Sequence, residues 1–252
     1  MFSRTLAKLT ASLPSAAKYR LVGLKPALIK VMALGQRTVE VETSAGPLIW
    51  EIDELTSQEF LLGSYEPYMQ KAFIKYVQPG DVVYDIGAHA GYHSLFCSLL
   101  VGNSGAVYAF EPNPKNFKSL KRQLELNSAD QVCVLPYALS DKCGDARFKT
   151  SFGASQGHLS RSGDIRVETR TLDSLIDGGI CPIPQMLKID VEGHEAQVLA
   201  GAMGTLKRHR PLVFCDYNDD TSYDVVRQML SPLGYDVAPG PPITAHPTRE
   251  SH

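Results

Sequence analysis

The chain has 252 residues, 44% of them hydrophobic and 21% charged, and carries a formal net charge of -2. That is enough chain for one sizeable α/β domain and short for two. A near-neutral balance, with no aromatics interleaved in a basic stripe, argues against nucleic acid as a partner, and no apolar run approaches the roughly 20 residues that span a bilayer.

No acid precedes Glu40, whereas Arg4, Lys8, Lys18, Arg20, Lys25, Lys30 and Arg37 all lie in that segment. It reads as one or two short helices broken near Pro14 and Pro26. They form a solvated basic arm, a segment making peripheral contact with an anionic membrane, or a transit peptide. Two alternating stretches follow, Thr38 to Thr43 and Leu48 to Ile52. The turn sequence Ser44-Ala45-Gly46-Pro47 separates them, which predicts a β-hairpin with Trp50 as a core anchor. Residues 1–60 are thus expected to form an arm and hairpin on the substrate side of a domain over 61–238. A helix runs from Pro67 to about Val77, and Pro79-Gly80-Asp81 stops it.

Strand and helix then alternate. Strand Val82 to Asp85 precedes helix Tyr92 to Val101, strand Ala106 to Phe110 precedes helix Pro114 to Leu126, and strand Val132 to Pro136 leads into a loop. Ala146 to Thr150 and Ile165 to Thr169 read as an inserted strand pair flanking the polar segment Ser151 to Gly163. The alternation resumes with strand Met186 to Asp190, helix His194 to Arg208, strand Leu212 to Tyr217, helix Ser222 to Leu230 and a short strand Tyr235 to Ala238. Near-continuous apolar strands separated by helices predict a mostly parallel, doubly wound α/β sheet. Residues 239–252, with Pro239-Gly240-Pro241-Pro242 and no periodicity, are expected to be a disordered tail. Cys97, Cys133, Cys143, Cys181 and Cys215 form no C-x-x-C pair. They read as small core residues of a reducing compartment, hence a cytoplasmic location.

In an open parallel sheet, ligands bind at the carboxyl ends of the strands. At the first such end, Asp85-Ile86-Gly87-Ala88-His89-Ala90-Gly91 runs from an apolar strand through two glycines into a helix. A turn of this kind offers backbone N–H groups to a polar cofactor. Its glycines are spaced G-x-x-x-G, not the G-x-G-x-x-G of dinucleotide binders, which moves the expectation from nicotinamide toward S-adenosylmethionine. Asp85 is expected at the cofactor's amino-acid end. Glu111 ends the next strand, where an acid can accept two hydrogen bonds from a ribose diol. Ala138 and Leu139 follow the third strand and offer apolar contact to the adenine. At the fourth, Lys188-Ile189-Asp190-Val191-Glu192-Gly193-His194-Glu195 crowds ionisable groups on one sheet edge, and Lys188 shares a strand face with Asp190.

These two segments together resemble the FkbM family of S-adenosylmethionine-dependent methyltransferases. So do Gly63-Ser64-Tyr65-Glu66-Pro67, Pro79-Gly80-Asp81, Phe110-Glu111-Pro112-Asn113, Ala138-Leu139-Ser140-Asp141 and Thr171-Leu172-Asp173-Ser174-Leu175. The resemblance covers roughly residues 60 to 217. It implies a class I Rossmann-like methyltransferase fold and O-methylation of a hydroxyl on a sugar, glycan or small-molecule metabolite. Gly87, Ala88, His89, Gly91, Glu111, Pro112 and Asn113 then belong to the cofactor site, and Tyr65 and Glu66 close over it. Two departures stand out: Phe214-Cys215-Asp216-Tyr217 replaces a fifth strand that usually ends in glutamate, and residues 234–252 offer little for the last sheet edge. An alcohol needs a base to take its proton. Asp190, Glu192 and His194 are the candidates, and the sequence does not choose among them. The alternative is Mg²⁺ held by Asp190, Asp216 and Asn218. Two rival readings of the chain are an NAD(P)-dependent oxidoreductase and a methyltransferase fold kept only for binding.

Overall fold

The computed structural model describes residues 38–150, 157–216 and 220–248. The helices expected before residue 35 and the basic arm lie outside the described residues. Strands β1 (Thr38–Thr43) and β2 (Gly46–Glu51) form the expected antiparallel hairpin. Their inward residues Val41, Leu48 and Trp50 are buried. Trp50 packs edge-on against Phe60 of the short helix α1 (Gln58–Leu61), and its ring N–H donates to Thr56 Oγ1 at 3.0 Å. Helix α2 (Pro67–Tyr76) starts on Pro67, at a position where a missing N–H costs nothing.

Strand β3 (Val82–Ile86), helix α3 (Tyr92–Val101), strand β4 (Ala106–Phe110), helix α4 (Pro114–Leu126) and strand β5 (Val132–Leu135) follow, close to expectation. Helix α3 is buried nearly all round, because sheet and hairpin sandwich it. Helix α4 starts on Asn113, whose side chain accepts from Lys115 N, and buries Leu120 and Leu124 on the hairpin side.

A second sheet is inserted next. It consists of β6 (Tyr137–Leu139), β7 (Gly144–Lys149), β8 (His158–Leu159) and β9 (Ile165–Arg170) in the order β6-β9-β7-β8, with Phe148, Val167 and Ala138 as its core. The expected strand pair is the antiparallel β7–β9 ladder. Helix α5 (Leu172–Asp177) then leads to strand β10 (Met186–Ile189).

The single helix expected from His194 to Arg208 is two, α6 (Glu195–Ala200) and α7 (Met203–His209). The break has a tertiary cause. The Asp173 carboxylate accepts from Gly204 N and Thr205 N at 2.7 Å and from Thr205 Oγ1 at 2.6 Å, and so caps α7 from outside. Strand β11 (Leu212–Cys215), helix α8 (Asp220–Leu230), strand β12 (Tyr235–Ala238) and strand β13 (Ile243–Pro247) complete the described chain.

The main sheet has the order β12-β13-β11-β10-β3-β4-β5. Strands β5, β4, β3, β10 and β11 are parallel, and β13 lies antiparallel between β11 and β12. The expectation of a disordered tail from residue 239 is therefore corrected. Ile243 and Ala245 are fully buried and supply the sheet edge that looked deficient. Alternation along the strands divides the core. Tyr84, Ile86, Leu187 and Ile189 pack with α5 to α8, while Val83, Met186 and Phe214 pack with α2 and α3. Asp85 and Lys188 share that second face and are partners in register. All five cysteines are free. Cys97, Cys181 and Cys215 are buried as expected, but Cys133 and Cys143 are exposed, their strand and turn facing solvent. Among the described residues no helix is long and apolar enough to cross a membrane.

Candidate active site

A cavity of about 370 Å³ opens at the carboxyl ends of β3, β4 and β10, within the range of small-ligand sites. Leu55, Ser57 and Phe60 wall it from the N-terminal side, and Phe148 and Leu159 from the inserted sheet. Of the residues expected at a cofactor, Gly87, His89, Glu111, Pro112, Ala138 and Leu139 line it. Asp85, Ala88, Gly91 and Asn113 are not among its lining residues.

Asp85 is 1% exposed: its Oδ2 accepts from Ser94 Oγ at 2.6 Å, and Oδ1 lies 3.0 Å from Lys188 Nζ. Burial would raise its pKa, but Lys188 and the Ser94 hydrogen bond outweigh that and hold the carboxyl below the usual range. Asp85, expected to reach a cofactor's amino-acid end directly or through water, is paired here with Lys188. That lysine also lies 3.3 Å from Asp190 Oδ2 and donates to the Gly87 carbonyl at 3.3 Å. Gly91 is glycine because a Cβ there would sit 2.2 Å from Leu120 Cδ1, with φ at +91°.

Four N–H groups of the glycine turn are engaged within the fold. Gly87 and Ala88 N–H both donate to Phe110 O, His89 N–H to Glu111 Oε2 and Gly91 N–H to Ala88 O. Glu111 is thus one of the acceptors that hold the turn. Glu111 Oε1 also accepts from Asn113 N at 2.8 Å. Burial pushes the Glu111 pKa up to about 7, against the pull of those two backbone N–H groups. Oε2 keeps a lone pair beyond its bond to His89, and the second lone pair of Oε1 meets only a long 3.4 Å contact from Asn116 Nδ2. Glu111 therefore has the acceptor capacity that a ribose diol requires.

Asp190, Glu192 and His194 all line the cavity. His194 Nε2 is 2.9 Å from Ser140 Oγ, which in turn is 3.0 Å from Asp141 Oδ1. Glu195 turns back so that Oε1 accepts from Val191 N and Gly193 N, fixing the β10–α6 turn. Tyr65 and Glu66 reach the same cavity from the start of α2. Carboxylate oxygens of Glu66, Asp190 and Asp216 lie within 4.8 Å of one another. These three, rather than Asp190, Asp216 and Asn218, are what the described residues offer a hard cation; Asn218 lies outside them. Burial pushes the Glu66 pKa up to about 7, partly opposed by Lys188. His93 Nε2 sits 3.6 Å from Glu66 Oε2, but burial and Lys188 drive the His93 pKa down to about 3, so it is neutral. Its ring packs among Tyr65, Phe73 and Tyr92.

Sequence reasoning did not find Ser57, Phe60, Asn116, Tyr137 or Phe148 as cavity residues. They come from positions that carry no motif of their own, and only the folded hairpin, α4 and the inserted sheet bring them there.

A model of the methyltransferase FkbM domain matches residues 85–237 of the chain. Hexuronic acid methyltransferase AglP of Haloferax volcanii is 32% identical over 161 residues, covering 63% of this chain and 62% of that protein. The 31-O-demethyl-FK506 methyltransferase FkbM of Streptomyces tacrolimicus is 32% identical over 165 residues, covering 50% of this chain and 60% of that protein. The 2-O-methyltransferase NoeI of Sinorhizobium fredii is 26% identical over 167 residues, covering 58% of this chain and 67% of that protein. The chain thus spans 60 to 67% of the length of these relatives.

Proposed function

The chain belongs to the FkbM methyltransferase family, and we propose that it moves a methyl group from S-adenosylmethionine to a hydroxyl of a sugar or other small molecule. One observation carries the reading. Glu111, the acid suited to a ribose diol, shares a single cavity with Asp190, Glu192 and His194, the groups suited to take a hydroxyl proton. The names of the three relatives, for a hexuronic acid, a 2-O position and 31-O-demethyl-FK506, support a hydroxyl acceptor of that class.

When bound, the cofactor supplies a methyl group already activated on a sulfonium, so the chain's task is alignment and proton management. Glu111 would grip the ribose while Ala138 and Leu139 pack the base. Tyr65 and Glu66 would close the α2 side. Phe148 and Leu159 of the inserted sheet would wall the acceptor and keep water out. A carboxylate or imidazole at the β10 end takes the acceptor's proton, a contribution on the order of 10²–10⁴-fold. A divalent cation is the other way to lower the acceptor's pKa, and Glu66, Asp190 and Asp216 are the residues that would hold it.

The test is incubation with methyl-labelled S-adenosylmethionine and a panel of methyl glycosides, uronic acids and hydroxylated macrolides. Titration calorimetry with S-adenosylmethionine and with NAD runs alongside. Label in an ether product is expected. Tight NAD binding with no S-adenosylmethionine binding would overturn the reading in favour of an oxidoreductase. Cofactor binding without transfer to any acceptor would favour a binding protein. Unchanged turnover in EDTA removes the cation route.

A further inference from the structure

We propose that His194 is the general base of the transfer and that Ser140 and Asp141 are its positioning residues, holding the imidazole in the tautomer whose Nδ1 is unprotonated. With the function proposed above as its premise, this narrows three candidate bases to one.

Proton counting fixes the tautomer. Ser140 Oγ is 3.0 Å from Asp141 Oδ1 and 2.9 Å from His194 Nε2. A hydroxyl has one proton to give and two lone pairs. A carboxylate is a stronger acceptor than a neutral imidazole, so the proton goes to Asp141. Ser140 Oγ must then accept, which puts the ring proton of His194 on Nε2. Nδ1 is left with its lone pair on a ring that lines the cavity. The support beneath is rigid. Ser140 is buried, its N–H donates to Arg170 O at 2.9 Å, and its carbonyl sits where a Cβ on Gly201 would come within 1.9 Å. Gly201 lies at the α6–α7 break, so the break lets the end of β6 approach closely.

Asp190 has a different setting. Its Oδ2 is engaged by Lys188 Nζ at 3.3 Å, and its carboxylate is grouped with those of Glu66 and Asp216. The charged group acting on His194 is Asp141 after β6, and Glu192 and Glu195 flank it in its own turn and helix. Burial pushes the His194 pKa down and Asp141 pulls it back up. In the transfer, the acceptor O–H bond breaks toward Nδ1 as the oxygen bonds to the methyl carbon. The carbon–sulfur pair stays on sulfur. The resulting imidazolium is stabilised by Asp141 through Ser140 and passes its proton to water.

Two measurements on the full chain test this. Nitrogen NMR of the histidine-labelled protein above its titration, with His194 assigned by loss in His194→Gln, is expected to show the Nε2–H tautomer. A predominant Nδ1–H form overturns the proposal whether or not an acceptor is known. With whichever panel acceptor turns over, His194→Gln should lower kcat by about 10²–10⁴-fold at unchanged S-adenosylmethionine affinity. Ser140→Ala should lower kcat about tenfold with KM within about twofold, as expected of lost orientation. Asp141→Asn should move the acid limb of the pH–rate profile to lower pH, and by more than Glu192→Gln does. A limb that moves more with Glu192 than with Asp141, or that ignores Asp141, overturns the assignment. A confirmed tautomer with no turnover on any acceptor faults the proposed function instead.

Discussion

Replacing Lys188 by Met tests how the site is held together. Lys188 Nζ lies 3.0 Å from Asp85 Oδ1, and the two side chains are 3% and 1% exposed. Removing the cation leaves Asp85 as an uncompensated buried charge, still bonded to Ser94 Oγ. Such a loss costs about 3–5 kcal/mol. At roughly 2–4 °C per kcal/mol for a domain of this size, the thermal midpoint should fall by about 6–20 °C. The double variant Lys188→Met with Asp85→Asn removes both charges and keeps an acceptor for Ser94, so it should recover most of that loss. The pH dependence has a definite sign. Asp85 is depressed below 3.8, so its contribution is present above that value and is lost as pH falls through the folded pKa. Lys188 is raised well above 10.5, so its contribution is complete below that value and is lost as pH rises through the folded pKa. The wild type's margin over the single variant should therefore narrow toward both extremes. Calorimetry across pH reads all of this. A single variant within about 1 kcal/mol of wild type, or a double variant no better than the single, would refute the coupling.

Burial raises both Glu111 and Glu66 from 4.5 to about 7. Their sign is the opposite one: the ligand-free chain should lose stability as pH rises from 4.5 to about 7, and Glu111→Gln should flatten that slope in a thermal melt series. S-adenosylmethionine should bind more tightly as pH rises through the same region, since the ionised carboxylate is the better acceptor for a diol; an affinity that does not change across it contradicts the role given to Glu111. Asp173→Ala removes three hydrogen bonds at the start of α7, and should cost about 2 kcal/mol in a urea titration. Ending the chain after Ala238 removes β13 with the buried Ile243 and Ala245, and should yield an unfolded or insoluble product, whereas loss of a mere tail would leave the melting curve where it was.

Much of the main sheet was legible because parallel strands buried on both faces read as unbroken apolar runs. Helices α3 and α4 match their expected bounds because their ends are written locally, in Gly91, Gly102 and the Asn113-Pro114 pair. The α6–α7 break was not legible. Its causes are the Asp173 carboxylate, which caps α7, and the Ser140 carbonyl, which packs on Gly201, and both arrive from other elements. Strand β13 was hidden for a related reason. Prolines flank it and its alternation is short, so what makes it a strand is pairing on both sides with β11 and β12.

The place of the site was legible too, because the ends of parallel strands are where such sheets bind ligands. Its working geometry was not, and backbone strain shows why. Among the described residues, five that are not glycine adopt positive φ, and Glu66, His89 and Glu192 are three of them. All three line the cavity. Each such position costs on the order of 1–3 kcal/mol unless its surroundings enforce it. Around two of them the enforcing contacts are visible: the His89 N–H is drawn to Glu111, and Glu195 holds the N–H groups on either side of Glu192. Local preference would send these segments elsewhere, so the direction in which Glu66, His89 and Glu192 leave the backbone is set by contacts made only after folding. A site assembled against local preference is one that a residue-by-residue reading locates without being able to draw it.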